Sequence, residues 1–149
     1  GKLCSEKLAE GVPLLHLKPY LERYQGEDWK GRCYFPKEYQ RHQIYCDEQL
    51  EILVLCWSEH QASGIHDHPE NGCLVRVMQG KLHEDCYRWG SEGSPRLEKP
   101  SAQKILSVDG ISYQQGKKGL HNIRNEENQK ACTVHLYAPP CYHPTFYSI

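Results

Sequence analysis

Two histidines stand two residues apart in the segment Gly64-Ile65-His66-Asp67-His68. On a β-strand, residues at this spacing point to the same side, so both imidazoles would face one volume. A lone buried histidine is usually structural, but a pair on one strand face favours a metal. The spacing therefore predicts that His66 and His68 are metal ligands.

A third histidine follows a glycine-rich segment further along the chain. Glycines at 110, 116 and 119 precede His121, and Asn125 follows it. Such glycines allow tight reversals and a close approach of the backbone to a site. Alone, His121 is typical of a surface residue after a turn; with the first pair it completes a set of three imidazoles. Imidazole ligands suit iron, zinc, copper and nickel, so the set predicts a metal without choosing it.

Short strands are the main elements that would position these histidines. Apolar or alternating runs at 52–57, 73–78, 81–89 and 131–137 predict strands, and Gln79-Gly80 predicts a turn. Polar segments at 90–103 and 124–130 predict loops. Many short strands with closely spaced turns are typical of a sandwich or barrel, so we expect a mainly β fold.

The first third of the chain has a helical pattern instead. Apolar residues recur at helical spacing between positions 14 and 24, and Pro13 and Pro19 interrupt them. This pattern predicts at least two short helices ending near Gly26. A further short helix is predicted from Asp28 towards Tyr34.

Composition and charge argue against several classes of protein. Eighteen Lys and Arg face nineteen Asp and Glu, for a formal net charge of −1, whereas nucleic-acid-binding proteins usually show a basic excess. No stretch approaches the roughly 18 apolar residues that span a bilayer, and no secretion signal is evident. The eight cysteines contain no Cys-x-x-Cys pair. We therefore expect a cytoplasmic monomer with free thiols and with no nucleic-acid or membrane partner.

Both histidine segments resemble the paired sequence motifs of the cupin superfamily, whose members are double-stranded β-barrels (jelly rolls) with a metal in the lumen. The matching residues are His66, His68 and Gly80 in the first motif, and Gly110, His121 and Asn125 in the second. Cys73 stands where glutamate is usual, and Gly116 and Lys118 also depart from the pattern. The resemblance implies a cupin barrel with short N-terminal helices. We expect one cupin domain over 1–149, with a helical segment over about 1–36 packed on a barrel over 37–149.

A wider set of residues resembles the cysteine dioxygenase branch of that superfamily. The matching stretches are Tyr39-Gln40-Arg41, 55–57, 65–68, Cys73, 119–121 and 135–140. This resemblance implies a non-heme iron(II), Fe(II), enzyme that adds both atoms of O2 to the sulfur of L-cysteine, giving cysteine sulfinate. It also implies that His66, His68 and His121 hold the iron.

The same resemblance implies roles for the residues around the metal. Arg41 would bind the substrate carboxylate, because a guanidinium pairs with a carboxylate through two parallel hydrogen bonds, and Tyr39 would lie in the same substrate site. Thr133 would orient His135, and His135 would orient the Tyr137 hydroxyl beside the substrate. From the residues alone, these three polar side chains of 131–137 share one strand face, which could be wet or could line a lumen.

Cys73 and Tyr137 form the most distinctive pair. The resemblance implies a thioether between the Cys73 sulfur and the ring carbon next to the Tyr137 hydroxyl, in part of the molecules. Without the resemblance, Cys73 would be interpreted as a small buried hydrophobe. Trp57 is expected to pack against the wall of the site.

Alternatives in two classes stay open at this point. The chain could act on another small thiol, such as 3-mercaptopropionate or cysteamine, although cysteamine lacks the carboxylate that Arg41 would pair with. It could also be a non-enzymatic metal-binding cupin, which would not need Arg41, Cys73 and Tyr137 together. A zinc hydrolase is disfavoured, because no carboxylate is evident as a general base beside the histidines, and Glu70 is the only near candidate.

Overall fold

Short helices begin the chain in the computed structural model, which describes residues 1–32 and 40–148. They are the α-helices α1 (Lys2–Ala9) and α2 (Lys18–Arg23) and the 3-10 helices Leu14–Leu17 and Lys30–Arg32. The helices expected between residues 14 and 26 are confirmed, whereas α1 was not predicted. The expected helix end at Tyr34 and the expected boundary near 36 lie outside the described residues. No helix in the described ranges is both long and apolar enough to span a membrane.

Within the described residues, eleven β-strands follow the helices. They are β1 (Gln40–Cys46), β2 (Glu51–Trp57), β3 (Ile65–His66), β4 (Gly72–Gln79), β5 (Leu82–Trp89), β6 (Pro95–Arg96), β7 (Ala102–Leu106), β8 (Ile111–Gln114), β9 (Leu120–Arg124), β10 (Ala131–Ala138) and β11 (Phe146–Tyr147). The four predicted strands are confirmed as β2, β4, β5 and β10. The loop predicted over 90–103 is wrong in part, because it contains β6 and the start of β7, both paired with β5.

The strands form antiparallel sheets that face each other. One has the order β1-β2-β10-β4-β8, and the other has the order β11-β3-β9-β5-β6, with β7 also paired to β5. An apolar cluster joins residues of both sheets, among them Leu55 and Val77 from the first and Leu82 and Ile123 from the second. The expected mainly β architecture is confirmed.

Strand β10 lies at the centre of the first sheet, between β2 and β4, and all eight of its residues are buried. Val134 and Leu136 belong to a cluster with Leu14 and Leu17 of the N-terminal helices. Tyr137, on the alternate face, belongs to the cluster between the sheets. The helices therefore cover the outer face of this sheet, and the odd-numbered residues of β10 point into the lumen.

The turn between β4 and β5 requires glycine. Gly80 has a φ of +81°, in the left-handed region that side chains with a Cβ rarely adopt. A Cβ at this position would also lie 2.7 Å from the carbonyl oxygen of Lys130. The turn expected at Gln79-Gly80 is confirmed, but the expectation that the strands on either side of it pair with each other is wrong. The turn carries the chain from β4 in the first sheet to β5 in the second.

Free thiols are the rule among the described cysteines, with one exception. Residues 4, 46, 56, 73, 86 and 141 are free thiols. Cys132 is disulfide-bonded, so the expectation of free thiols is wrong at that position.

Candidate active site

Three buried histidines meet at one point of the second sheet. His66 on β3 and His121 on β9 are register partners across the sheet. Strand β3 ends at His66, so the expectation that His68 shares its strand is wrong. His68 lies just beyond the strand, and its ring nevertheless lies 4.8 Å from that of His66 and 4.4 Å from that of His121, measured between centroids. One ring nitrogen from each residue lies within 4.8 Å of the other two.

The other ring nitrogen of each histidine has a hydrogen-bond acceptor. Nδ1 of His66 lies 2.9 Å from the carbonyl oxygen of Gly64, and Nδ1 of His68 lies 2.6 Å from that of Gly119. Nδ1 of His121 lies 2.7 Å from a carboxylate oxygen of Glu84. Because these oxygens can only accept, Nδ1 carries the proton and Nε2 carries the lone pair. All three lone pairs are thus available to a metal.

The contact between two of the Nε2 atoms fits a cation. Nε2 of His68 and Nε2 of His121 lie 3.0 Å apart, and two lone pairs at this distance repel each other. A cation bound by both nitrogens would attract both lone pairs and offset this repulsion. Burial is the main cause that lowers the pKa of His66 to about 3 and the pKa of His68 well below its usual range. Both rings are therefore neutral near pH 7, as metal ligands must be.

A buried carboxylate behind His121 was missed in the sequence. Glu84 on β5 is fully buried, and it accepts hydrogen bonds from His121 Nδ1 and from the Ser112 hydroxyl. Lys104 Nζ lies 3.2 Å from its other oxygen. Burial alone would raise the pKa of this carboxyl, but the bond from His121, followed by those from its other partners, lowers it to about 2. An ionised Glu84 fixes the orientation of His121.

The carboxylate in contact with a histidine is therefore Glu84 and not Glu70, the near candidate in the sequence. Glu70 is exposed, and Glu84 occupies the position beside the site. Its spacing from Leu82, two residues earlier on the same strand, was the available signal, because the two share an inward face. Since Glu84 contacts Nδ1 and not the space between the Nε2 atoms, it can orient a ligand but cannot act as a base on a molecule bound there.

Asp67, between the first two histidines, holds the C-terminal segment against the site. Its carboxylate accepts hydrogen bonds from the Tyr142 hydroxyl and from the backbone N–H of Thr145, each at 2.8 Å. Burial, followed by the bond to Asp67, raises the pKa of Tyr142 to about 12. Phe146 on β11 then packs 5.5 Å from the ring of His66. This segment closes one side of the site.

A line of polar side chains from β10 runs through the lumen. Trp57 Nε1 donates to Thr133 Oγ1 at 3.0 Å, and Thr133 Oγ1 lies 2.6 Å from His135 Nε2. His135 Nδ1 lies 3.3 Å from the Tyr137 hydroxyl, and the two rings are stacked. Burial lowers the pKa of His135 well below its usual range, so its ring is neutral. The shared polar face of this strand is the lumen and not a wet surface, and Trp57 joins the line as a donor.

Cys73 and Tyr137 face each other across neighbouring strands. They are register partners on β4 and β10, and both side chains belong to the cluster between the sheets. Burial raises the pKa of the Cys73 thiol, so the sulfur is protonated near pH 7. Its Sγ atom lies 4.0 Å from His135 Nδ1.

One cavity unites most of the predicted site residues. It is lined by Arg41, His66, His121, His135, Tyr137 and Phe146, among others. The guanidinium carbon of Arg41 lies 5.7 Å from the centre of the Tyr137 ring. Thr133 and Cys73 contact this group through His135 and Tyr137 as described above. The remaining candidate, Tyr39, lies outside the described residues.

Comparison with known proteins identifies the family. The chain matches the family described as cysteine dioxygenase type I over residues 19–148. The chain belongs to this family. Among curated cysteine dioxygenases type 1, the protein of Bos taurus is 33% identical over 136 residues, covering 88% of this chain and 68% of the relative. That of Danio rerio is 28% identical over 138 residues, covering 89% of this chain and 68% of the relative. Membership supports an oxygenase whose three-histidine group could bind a metal.

Solved structures confirm the expected cupin fold for this cysteine dioxygenase family member. A protein with a double-stranded β-helix domain from Klebsiella pneumoniae superimposes with a TM-score of 0.62 at 16% identity, covering 85% of this chain and all of that one. A cupin superfamily protein from Desulfitobacterium hafniense gives a TM-score of 0.59 at 6% identity, covering 78% and 91% of the two chains. At such identities the likeness shows the fold alone, which is the double-stranded β-barrel.

Proposed function

We propose that this chain is a thiol dioxygenase that adds both atoms of O2 to the sulfur of L-cysteine, giving cysteine sulfinate. Its family supports the reaction class. The observation that carries the proposal is the shared cavity: two of the three clustered histidines open into the same space as the Arg41 guanidinium and the Tyr137 ring. An amino-acid thiol would need a metal for its sulfur and a cation, such as the Arg41 guanidinium, for its carboxylate. The Tyr137 phenol in the same cavity would offer it a hydrogen bond.

The metal in this proposal is iron(II), held by His66, His68 and His121. Three neutral imidazoles with protonated Nδ1 atoms suit a divalent first-row metal, and the choice of iron rests on the family. When bound, iron(II) supplies a Lewis acid that takes up a thiol as its thiolate, together with a redox centre for the reaction with O2. The protein's part is to hold the three ligands and to orient the substrate.

Arg41 is proposed to bind the substrate carboxylate. The guanidinium lies at the edge of the cavity, beside the Tyr137 ring, and can form two parallel hydrogen bonds to a carboxylate. An amino acid bound in this way would direct its thiol towards the histidines, and holding it in one orientation favours reaction. The contribution of Tyr39 to the same substrate site stays a prediction.

The Tyr137 hydroxyl is proposed to donate a hydrogen bond to the substrate. The Trp57 N–H donates to Thr133 Oγ1, which favours a Thr133 hydroxyl that donates in turn to His135 Nε2. A neutral His135 then carries its proton on Nδ1 and donates it to the Tyr137 oxygen. The Tyr137 proton is thereby free to face the cavity. In this arrangement Thr133 and His135 act as positioning residues.

A thioether between Cys73 and Tyr137, in part of the molecules, stays a prediction from the family. The register pairing and shared burial of the two side chains support it. Formation would remove one hydrogen from each partner, a two-electron oxidation for which the O2 of the proposed reaction would be the oxidant. Peptide mass spectrometry after turnover with iron and cysteine should therefore detect a loss of two hydrogens across the Cys73 and Tyr137 peptides. Finding only unmodified peptides would contradict the prediction.

A comparison of three thiols tests the proposal. Iron-loaded protein is given L-cysteine, 3-mercaptopropionate or cysteamine, with O2 uptake and sulfinate formation measured together. We expect cysteine to be oxidised and cysteamine, which has no carboxylate, to react poorly. Arg41→Ala should raise KM for cysteine by about 10-fold or more, since hydrogen bonds between charged groups contribute roughly 1.5–3 kcal/mol. Arg96→Ala, which removes an exposed arginine of β6, serves as the matched control.

The outcomes separate the alternatives. Equal rates on cysteamine, or an unchanged KM in Arg41→Ala, would refute the carboxylate assignment. Preference for 3-mercaptopropionate would keep the reaction and change the substrate. Iron binding without any O2 uptake would leave a non-enzymatic metal-binding cupin.

The broader expectations stay predictions. They are a single cupin domain over 1–149, a cytoplasmic location, a monomeric state, and no nucleic-acid or membrane partner. The near-zero net charge supports the last of these. Light scattering of the protein as it elutes from a size-exclusion column would measure the oligomeric state directly.

A further inference from the structure

A second group of metal-binding side chains lies apart from the three histidines. Cys46 and Cys141 are exposed, and Glu51 is half-buried. Both sulfur atoms and a carboxylate oxygen of Glu51 lie within 4.8 Å of one another. None of these three residues takes part in the proposed dioxygenase reaction.

The fold brings these three residues together from separate parts of the chain. Cys46 on β1 and Glu51 on β2 are register partners, so their side chains share a face of the sheet. Cys141 follows β10 and has a φ of +59°, a left-handed conformation that is uncommon for a residue with a Cβ. This turn brings the Cys141 thiol to the other two side chains.

The Glu51 carboxylate is already oriented. The backbone N–H of Cys141 donates to one of its oxygens at 3.3 Å, and Gln43 Nε2 donates to the other at 2.7 Å. A carboxylate held in this way has lost part of its rotational freedom before any ligand binds. Pre-ordered donors favour a bound ion, because less entropy is lost on binding.

The chemistry of the donor atoms also favours a cation. A bound divalent cation stabilises thiolates directly. Two sulfurs and one oxygen form a donor set for a soft cation and not for magnesium or calcium, which prefer oxygen alone.

We propose that Cys46, Glu51 and Cys141 form a second metal site, for a thiophilic divalent cation of the zinc type. The cation would bind two thiolates and one carboxylate oxygen, with water in the fourth tetrahedral position. Both thiols release their protons to solvent, and nothing is oxidised or reduced. Zinc–sulfur bonds of about 2.3 Å place two sulfurs roughly 3.8 Å apart in a tetrahedral site, so the observed cluster needs at most a small contraction.

Cadmium titration of the iron-loaded, fully reduced protein tests the site, since cadmium is a zinc-like cation whose bonds to sulfur absorb in the ultraviolet. We expect one equivalent to produce the sulfur-to-cadmium band and to release two protons, and zinc to displace it. Cys46→Ser and Cys141→Ser should each abolish the band, and Glu51→Gln should weaken binding by about 10-fold. The matched controls Cys86→Ser and Glu48→Gln should leave both band and affinity unchanged.

The proposal has clear contrary outcomes. It is refuted if the band persists in both cysteine variants, or if no band develops in the unmodified protein. Cadmium NMR of the unmodified protein provides a check that needs no variant. A resonance typical of mixed sulfur and oxygen donors is expected, and a nitrogen-only or oxygen-only signal would overturn the assignment. Neither result depends on whether the chain oxidises cysteine.

Discussion

Replacing Glu84 with glutamine removes one charge from behind His121 and preserves the size of the side chain. One oxygen of Glu84 accepts from His121 Nδ1 at 2.7 Å and from Ser112, and Lys104 Nζ lies 3.2 Å from the other. Glutamine has one oxygen and one NH2 group. Its NH2 group must therefore face either His121 and Ser112 or Lys104, all of which are donors themselves. If the NH2 group faces His121, the ring loses its fixed orientation. If it faces Lys104, the cation loses its partner.

We expect Glu84→Gln to weaken iron(II) binding by about 30- to 100-fold. Loss of a partner that orients a metal ligand typically reduces affinity by 10- to 100-fold, and the upper part of that range applies because Glu84 is fully buried. At about 1.4 kcal/mol per tenfold change, the loss corresponds to roughly 2–3 kcal/mol. The direct ligands stay in place, so binding is weakened and not abolished.

Anaerobic competition with an iron(II) chelator measures this effect. Asp85→Asn is the matched control, because Asp85 is the next residue of β5, is also buried, and accepts from Arg124 at 2.7 Å without touching a histidine of the site. We expect this control to bind iron within about twofold of the unmodified protein even if it unfolds more easily. The reasoning is refuted if Glu84→Gln binds iron within threefold of the unmodified protein. It is refuted equally if Asp85→Asn weakens binding as strongly.

Three further perturbations address other parts of the fold. Thr133→Val removes the hydroxyl bonded to His135 and should lower both kcat and the free energy of unfolding, the latter by about 1–3 kcal/mol. Thr133→Ser keeps the hydroxyl and should retain both. Urea unfolding measures the stability, and O2 uptake measures kcat. Hydrogen bonds, first that of Ser5, lower the pKa of Asp47 from 3.8 to about 2 in the folded protein. Its charge therefore stabilises the fold above its ordinary pKa, and this contribution is lost as the pH falls towards 2. Asp47→Asn should accordingly lower the melting temperature at pH 7 and flatten its decline below pH 4, and parallel curves would contradict this. Gly80→Ala should reduce the free energy of unfolding by about 1–3 kcal/mol, because of its positive φ and its close approach to backbone; an unchanged urea midpoint would argue against that reason.

The central strands could be predicted because their side chains are buried on both faces of the sheet or on alternate residues, and burial leaves a recognisable pattern in the sequence. Five of the eight residues of strand β10 are apolar and alternate with Thr133, His135 and Tyr137, and such short segments are typical of strands. Strand β7 carries no such signal, because only Leu106 of its five residues is buried. Helix α1 was missed for the same reason, since only Ser5 and Leu8 are buried on it. Elements that bury few side chains, such as β7 and α1, could therefore not be predicted from apolar patterns.

The cluster of histidines could be predicted from the sequence, but its supporting residues could not. His66 and His68 are close in sequence, so local geometry was sufficient even though the strand ends between them. Glu84 reaches His121 only because β5 pairs with β9, and a single glutamate in a strand otherwise indicates a solvent-facing position. Cys46 and Cys141 meet for a similar reason. Such contacts depend on strand pairing, which one sequence does not reveal.

The two faces of β10 link the stability of the fold to the geometry of the site. Because successive side chains of a strand alternate, Leu136 can pack against the helices only if His135 and Tyr137 point into the lumen. A slip of one residue would bury the polar side chains among the leucines and turn Leu136 towards the histidines. The outer, apolar face therefore fixes the register, and the register fixes the line from Thr133 to Tyr137. It follows that side chains packed under the helices determine the position of the Tyr137 hydroxyl as firmly as the hydrogen bonds that reach it.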